Sequence, residues 1–264
     1  METPKYRRIL LKVSGEALAG EAGTGLDFNI LNTVAEAIGD CVKAGAQVAL
    51  VVGAGNFWRG VKNGEGKIER TRSDYMGMLG TTMNALAVCD VLEQHGIPAV
   101  VQNALDIQKV SESYNRVNAV KHLEQGTVVI FAGGSGCPFF STDTAAALRA
   151  AEIDADAILL DLAPMTAKAI AGLKNCKIIS RYGVGFENVD LEAATKAGIQ
   201  VTNVPDYCAE DVSDHALALL FAPVALVVLA EHIADHENLS SIIDRNLISD
   251  PGLKNTIMGD GVGS

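Results

Sequence analysis

Residues 48–56 read Val-Ala-Leu-Val-Val-Gly-Ala-Gly-Asn, an apolar run that passes directly into a glycine-rich loop. A strand with no polar residue on either face is typical of a parallel sheet that is covered by helices on both sides. The same apolar pattern returns at Thr127–Ala132 and at Ala157–Leu160. These strands predict an α/β fold with a mainly parallel sheet.

Helix-forming segments alternate with the strands. In Asp27–Lys43, Leu31, Ala35 and Ile38 recur at helical spacing, and Asp27 is suited to cap the helix. The other predicted helices of the first half are Ser73–Gln94, Val117–Glu124 and Thr142–Ala151, and the other strands are Tyr6–Val13 and Pro98–Gln102. The second half predicts strands Cys176–Ser180 and Gln200–Val204, and helices Asp190–Ala197 and Ala209–Phe221.

Composition excludes several classes of protein. The 264 residues carry a formal net charge of −11, which argues against binding to the nucleic-acid backbone. The five cysteines show no C-x-x-C spacing, so neither a disulfide framework nor a zinc site is expected. No signal peptide is recognisable, and the apolar stretch Ala216–Ala230 is shorter than the ~20 residues of a membrane span. We expect a cytoplasmic protein without membrane contact.

Three glycine-rich loops follow predicted strands: Ser14–Glu16, Gly53–Asn56 and Gly133–Gly136. In a parallel sheet these loops meet at the carboxyl edge, where ligands bind. Glycine lets backbone N–H groups approach an anion, and a following helix N-terminus favours negative charge. The loops predict a site for a phosphate-bearing ligand, although glycine is also the ordinary residue of turns.

Four charged residues lie near these loops, and three of them, Lys12, Asp74 and Asp143, also have a purely structural interpretation. Lys12 ends the first strand and either enters the site or stays solvated. Arg59 follows the second loop and offers several donors to a phosphate. Asp74 and Asp143 open helices, so each is either a helix cap or a ligand contact.

Four stretches together resemble bacterial uridylate (UMP) kinases of the amino-acid kinase family. They are Lys12–Leu18, Gly53–Gly60, Asp74–Leu79 and Gly134–Asp143, and the resemblance covers about residues 5–160. It implies a three-layer α/β/α sandwich and ATP-dependent phosphorylation of UMP to UDP with Mg²⁺. It also implies nucleotides as partners and a homo-oligomer, usually a hexamer.

The resemblance assigns roles by position. The implied catalytic residues are Lys12, Arg59 and Asp143. The implied UMP site comprises Gly53, Ala54, Gly55, Asp74, Gly134, Ser135, Gly136, Phe140 and Thr142. The implied ATP site comprises Lys12, Ser14, Gly15, Gly55 and Arg59, and no residue is assigned to a metal.

Two residues inside the motifs depart from the family pattern. Ala54 stands where the family usually has glycine, so its Cβ is expected to crowd a phosphate or a left-handed backbone. Cys137 stands where the family usually has asparagine, which removes an amide hydrogen-bonding group.

The second half departs altogether. The Val-Asp-Gly-Val-Tyr-like stretch that would complete the ATP site after Leu160 is absent. Residues 155–221 instead resemble the substrate domain of D-2-hydroxyacid dehydrogenases of the phosphoglycerate type, and residues 250–264 resemble a kinase tail again. No Gly-x-Gly-x-x-Gly follows for a dinucleotide, and His215 is expected to be structural.

The chain therefore divides into a kinase-like part, 1–160, and an atypical α/β part, 161–264. Three interpretations follow: a UMP kinase with an impaired ATP site, a non-catalytic chimera or designed α/β protein, and a dehydrogenase-related protein. Residues 161–245 either extend the sheet or pack poorly on it.

Overall fold

The described residues form one sheet of eight strands, in which each pair of neighbours is parallel. The structure, a computed structural model, describes residues 4–59, 67–160, 164–181 and 183–205. The sheet order is β4-β3-β5-β2-β1-β6-β7-β8. The strands are β1 (Arg8–Val13), β2 (Gln47–Val52), β3 (Ala99–Asn103), β4 (Glu112–Ser113), β5 (Val128–Ala132), β6 (Ala157–Leu160), β7 (Ile178–Arg181) and β8 (Gln200–Thr202).

Helices cover both faces of this sheet. They are α1 (Gly15–Leu18), α2 (Phe28–Lys43), α3 (Arg70–Gln94), α4 (Arg116–Glu124), α5 (Thr142–Glu152), α6 (Ala167–Ala171) and α7 (Leu191–Lys196), with a 3₁₀ turn at Gly20–Ala22. The buried side chains of α2 and α3 join one core, and those of α4, α5, α6 and α7 join the other. The predicted three-layer α/β/α sandwich is confirmed.

Strand β2 shows why the sheet needs two covers. Its side chains alternate between the cores, with Ala49 and Val51 in one and Val48, Leu50 and Val52 in the other. All six residues of the strand are buried. The apolar run that predicts a two-sided strand is therefore explained by packing on both faces.

The structure corrects the start of α3. The sequence predicts a helix from Ser73, but the helix begins at Arg70 because the Glu69 carboxylate accepts hydrogen bonds from the N–H groups of Thr71 and Arg72. These bonds hold the pKa of Glu69 below its ordinary value. Asp74 therefore lies inside the first turns of α3, and its interpretation as the helix cap is wrong.

Residues 164–205 continue the sheet of the first half. Strand β7 pairs with β6 from Ala157↔Ile178 to Leu160↔Arg181, and β8 pairs with β7. Met165 and Ile179 are fully buried in the core that also holds Leu10 and Ile158. Of the two outcomes expected for the second half, the described part takes the first and extends the sheet.

Several predicted features fall outside the described residues. These are the helix Ala209–Phe221, the apolar stretch Ala216–Ala230, His215, Cys208 and the tail 250–264. Among the residues that the structure does describe, no helix combines the length and apolar character needed to cross a bilayer.

The described cysteines are free thiols: Cys41, Cys89, Cys137 and Cys176. Burial raises the pKa of the Cys89 thiol to about 11, with Glu93 and Asp90 adding to the effect. Burial likewise raises the pKa of the Cys176 thiol to about 11. Both thiols stay protonated at neutral pH, so neither is poised for nucleophilic chemistry.

Candidate active site

A cavity of about 530 Å³ opens at the carboxyl edge of the sheet. Strands β5, β2 and β1 are neighbours, so the three glycine-rich loops that follow them lie side by side. The sequence-predicted residues that line the cavity are Lys12, Ser14, Gly15, Gly53, Ala54, Gly55, Arg59, Asp74, Gly134, Ser135, Phe140, Thr142 and Asp143. Gly136 was predicted with them but lies outside the lining, where its backbone backs onto Ala104.

The first two loops touch through their backbones. A Cβ built on Gly15 would lie 2.6 Å from the backbone nitrogen of Gly55 and closer still to the Asn56 side chain. No side chain larger than hydrogen fits there, so this contact requires glycine. The close approach brings the backbone amides of both loops to one side of the cavity.

An asparagine pair fixes the second loop to α3. Asn84, which is fully buried, donates to the Gly53 carbonyl at 2.6 Å and to Asn56 Oδ1 at 2.8 Å. Asn56 also donates to the Gly25 carbonyl at 2.6 Å. Buried amides of this kind are costly to leave unpaired, so they hold the loop in one conformation.

Ala54 does not strain the backbone of its loop, so the expectation of a crowded left-handed conformation at this position is wrong. Among the described residues, the non-glycine residues with φ in the left-handed region are Phe139 and Asp154, and Ala54 is not one of them. Ala54 is 8% exposed and packs against Gly80, where an added Cβ would come within 2.9 Å of the Ala54 Cβ. A small residue at 80 makes room for the methyl group at 54.

Lys12 and Asp143 form the most enclosed ion pair of the cavity. Lys12 Nζ lies 2.9 Å from Asp143 Oδ1, and the two side chains are 9% and 21% exposed. Lys12 is therefore directed into the site and is not a solvated strand end. The N-cap of α5 is Ser141, which accepts from the Thr144 N–H, so Asp143 is left for this contact.

Arg59 pairs with Glu16 across the mouth of the cavity. Both side chains are about half exposed, which makes this pair weaker and more easily exchanged than that of Lys12. The neighbouring Trp58 donates from Nε1 to Ser73 Oγ at 3.0 Å, and this bond ties the end of the loop to α3.

Asp74 joins α3 to the segment that follows the third glycine-rich loop. It accepts from Arg70 Nε with both oxygens at 2.9 Å, and Oδ2 also accepts from the Phe139 N–H at 2.8 Å. The Arg70 guanidinium lies 5.2 Å from the centre of the Phe139 ring. Phe139 has a φ of 71°, a strained value for this residue type, and Asp74 and Arg70 hold it there.

The charges of the cavity are balanced in pairs. Three cations, Lys12, Arg59 and Arg70, each contact a carboxylate of the same cavity, respectively Asp143, Glu16 and Asp74. A phosphate that enters must compete with these carboxylates for the cations, and the loop amides supply further donors. The arrangement is suited to gathering a polyanion without covalent chemistry.

Sequence reasoning missed the lining residues Trp58, Arg70, Gly77, Met78 and Thr81, and it gave no individual role to Glu16, Phe139 and Ser141 within the segments it named. Arg70 and Asp74 stand at i and i+4 on one helix, a spacing that favours an ion pair and could have been noticed. The role of Thr81 could not, because its hydroxyl accepts from the N–H of Gly133, which is 52 positions away.

Two family models match the chain. That of the amino acid kinase family matches residues 7–160, and that of the D-isomer specific 2-hydroxyacid dehydrogenase family, catalytic domain, matches residues 99–254. The motif resemblances of both halves are thereby confirmed, and the two matches overlap on residues 99–160.

Named relatives give the same picture for the first half. Uridylate kinases from two strains of Streptococcus thermophilus are each 53% identical to this chain over 160 residues. The match covers 61% of this chain and 65% of the length of those relatives. The chain thus matches just under two thirds of a full-length uridylate kinase.

Solved structures of UMP kinases resemble the fold. The enzyme from Bacillus anthracis has a TM-score of 0.57 and 39% identity, over 59% of this chain and 64% of that one. The enzyme from Ureaplasma parvum has a TM-score of 0.60 and 28% identity, over 73% of this chain and 96% of that one. The structural likeness thus reaches further into the second half than the sequence match does.

Proposed function

Because the chain belongs to the amino acid kinase family through residues 7–160, and to the D-isomer specific 2-hydroxyacid dehydrogenase family through residues 99–254, we propose that it is a UMP kinase whose ATP site is impaired. The activity is transfer of the γ-phosphoryl group of ATP to UMP, giving UDP. The observation that carries the proposal is the cavity where three glycine-rich loops, Lys12, Arg59 and Asp143 converge.

Phosphoryl transfer asks the protein for positioning and charge neutralisation. Lys12, 9% exposed and aimed into the cavity, supplies a cation at the reacting group. Arg59 exchanges Glu16 for a phosphate oxygen, and the amides of the Gly15 and Gly55 loops bind the remaining oxygens. Asp143 orients Lys12 through their ion pair.

Mg²⁺ fits this cavity as an ion carried by the nucleotide. The described residues contain no group of three or more His, Cys, Asp or Glu side chains that would hold a metal alone. Mg²⁺ commonly binds proteins through one or two carboxylates together with substrate phosphates, and Asp143 offers such a carboxylate. The ion would neutralise charge on the phosphates.

The two nucleotides are expected to bind unequally. The proposed UMP contacts, from Asp74 to the Gly134–Thr142 segment, all lie within the part that matches uridylate kinases. The segment that would complete the ATP site is replaced by the dehydrogenase-like residues. UMP should therefore bind with the affinity of a family member, and ATP more weakly.

The proposal includes cytoplasmic location and assembly into a homo-oligomer, which we take to be a hexamer. The proposed location and assembly both rest on the resemblance to uridylate kinases. Size-exclusion chromatography with multi-angle light scattering measures the mass of the assembly directly.

Thermal stabilisation and product formation test the function separately. We expect about 1 mM UMP to raise Tm by several degrees, and UDP to form from ATP and UMP with Mg²⁺. Lys12→Met should abolish UDP formation and leave UMP binding measurable, whereas Lys121→Met, at an exposed lysine of α4, should change neither. Absence of any shift with UMP would contradict the proposed site.

The interpretations that compete give different results in the same panel. A non-catalytic chimera would bind UMP but form no UDP at any ATP concentration. A dehydrogenase-related protein would quench NADH fluorescence and ignore UMP.

A further inference from the structure

The third glycine-rich loop, Gly133–Gly136, carries part of the proposed UMP site but has little stiffness of its own. Gly133, Gly134 and Gly136 have φ values of 73°, 58° and 79°. Glycine loses more conformational freedom on ordering than any other residue. A loop of this composition keeps one conformation only when neighbouring parts of the protein hold it, so the contacts that hold it bear on ligand binding.

Asn103, the last residue of β3, is buried next to this loop. It is 1% exposed, and the strand register pairs it with Ala132, the last residue of β5. Its Oδ1 accepts a hydrogen bond from the Leu105 N–H at 2.9 Å, and its Nδ2 donates to Thr82 Oγ1 of α3 at 3.0 Å. Both ends of the buried carboxamide are therefore engaged, and these bonds fix its orientation.

Asn103 and the two residues after it, which we call the β3 corner, lie in contact with the loop. A Cβ built on Gly133 would collide with Asn103 Oδ1 and would lie 3.0 Å from the backbone nitrogen of Leu105. A Cβ built on Gly136 would lie 3.0 Å from the carbonyl oxygen of Ala104. The glycines of the loop thus allow its backbone to pack directly on the β3 corner.

Two adjacent threonines of α3 attach the loop and the β3 corner to one helix. Thr81 Oγ1 accepts from the Gly133 N–H at 2.8 Å, and Thr82 Oγ1 accepts from Asn103. Each hydroxyl uses its single proton on the Met78 carbonyl, at 2.7 Å and 3.2 Å, so its oxygen is left to accept. The loop and the residue that packs against it are therefore held by the same helical turn.

We propose that Asn103 is a positioning residue for UMP binding, which acts through Gly133 on the loop. The inference rests on the proposed function for the identity of the ligand. Gly134 and Ser135 line the cavity, whereas Asn103 does not, so its effect on a nucleotide passes through the loop. A loop that is already ordered binds its ligand without an ordering cost, so loss of Asn103 should weaken UMP binding and leave the phosphoryl-transfer step nearly unchanged.

Asn103→Ala tests the proposal, and Gln102→Ala is the matched control. Gln102 is the preceding residue of β3 and is fully buried, but its amide bonds to Glu112 and to the Asn115 N–H. Asn103→Ala should raise the Kd of UMP, measured by titration calorimetry, about tenfold and keep kcat within about twofold. Gln102→Ala should leave the Kd of UMP unchanged. Equal Kd values for the two variants would overturn the proposal.

The Thr82 hydroxyl offers a second test that leaves Asn103 in place. Thr82→Val keeps the shape of the side chain but removes the acceptor of Asn103 Nδ2, so it should also raise the Kd of UMP. Thr82→Ser keeps the hydroxyl and should bind UMP like the wild type. The valine change should add less than about twofold to Asn103→Ala, because both act through one contact. A serine variant as weak as the valine variant would contradict this role of the hydrogen bond.

Hydrogen exchange in the absence of nucleotide separates this inference from the proposed function. Peptides covering 133–139 should exchange about tenfold faster in Asn103→Ala than in the wild type, and at the wild-type rate in Gln102→Ala. Unchanged exchange in Asn103→Ala would overturn the positioning role even if the protein binds UMP. Faster exchange in a protein that does not bind UMP would support Asn103 as the residue that holds the loop and contradict only the proposed function.

Discussion

At the scale of single residues, the site depends on where a side chain is absent. Gly15 lies so close to Gly55 and Asn56 that any Cβ would collide with backbone. Gly77, on α3 and lining the same cavity, has its nearest neighbour, the Trp58 carbonyl oxygen, 3.9 Å from a built Cβ. Both glycines line one cavity, but a Cβ has no room at Gly15 and has room at Gly77.

Alanine at these positions should have effects of opposite sign. Gly15→Ala should lower the free energy of unfolding by about 1–3 kcal/mol and abolish UMP binding, because the loops must separate. Gly77→Ala, the matched control, should raise it by about 0.5–1 kcal/mol, because it removes a glycine from the interior of a helix. Urea denaturation with and without UMP measures both effects, and equal stabilities for the two variants would refute the steric account.

At the scale of elements, hydrogen bonds to α3 hold the loops of the cavity in place. Asn84 holds the loop after β2, and Thr81 and Asp74 hold the loop after β5. The loop after β1 is fastened in turn through the contact of Gly15 with Gly55. The cavity therefore keeps its shape only as long as these polar contacts to one helix persist.

Removal of one of these hydrogen-bonding side chains from α3 should destabilise the protein. Asn84→Ala leaves the buried Gly53 carbonyl and the Asn56 amide without their partner, so we expect a loss of about 2–3 kcal/mol in the free energy of unfolding. Asn118→Ala, at an exposed asparagine of α4, should stay within about 0.5 kcal/mol of the wild type. Chemical denaturation compares the two, and a neutral Asn84→Ala would show that the loop stands without α3.

The element scale also shows what the sequence could and could not predict. Two-sided apolar strands such as Val48–Val52 and the loops that follow them are set by local pattern, so the sheet and the loop cluster are predictable. The α3 N-cap at Glu69 and the contact of Asp74 with Phe139 are not. Several polar residues near Glu69 could equally cap the helix, so the sequence does not single out Glu69. Asp74 and Phe139 are 65 residues apart, and only the complete fold brings them together.

At the scale of the whole molecule, two unrelated sequence patterns share one sheet. Strand β1 is paired on both sides, with β2 and β6, whereas β8 is paired within residues 4–205 only with β7 and is at most partly buried. Side chains from both patterns, among them Leu10, Ile158 and Ile179, fill one core. Strand pairing and core packing are therefore continuous from β1 to β8, but the burial of the strands decreases toward β8.

Hydrogen exchange should follow this gradient. Amides of β1 and β2 should exchange more slowly than those of β7 and β8, because the side chains of β1 and β2 pack into both cores, whereas those of β7 and β8 join one core. Exchange followed by mass spectrometry on peptides covering 9–13 and 178–202 makes the comparison. Slower exchange in 178–202 than in 9–13 would contradict the expected decrease in stability from β1 toward β8.

The position of the junction has a consequence for engineering. The match to the amino acid kinase family ends at β6, a strand that forms one parallel ladder with Ile9–Leu11 of β1 and another with β7. Parallel ladders are formed by main-chain groups, which are the same in every sequence. A strand–helix unit from another protein can therefore be joined after such a strand if its side chains are apolar and of similar volume. This makes β6 a suitable position for grafting.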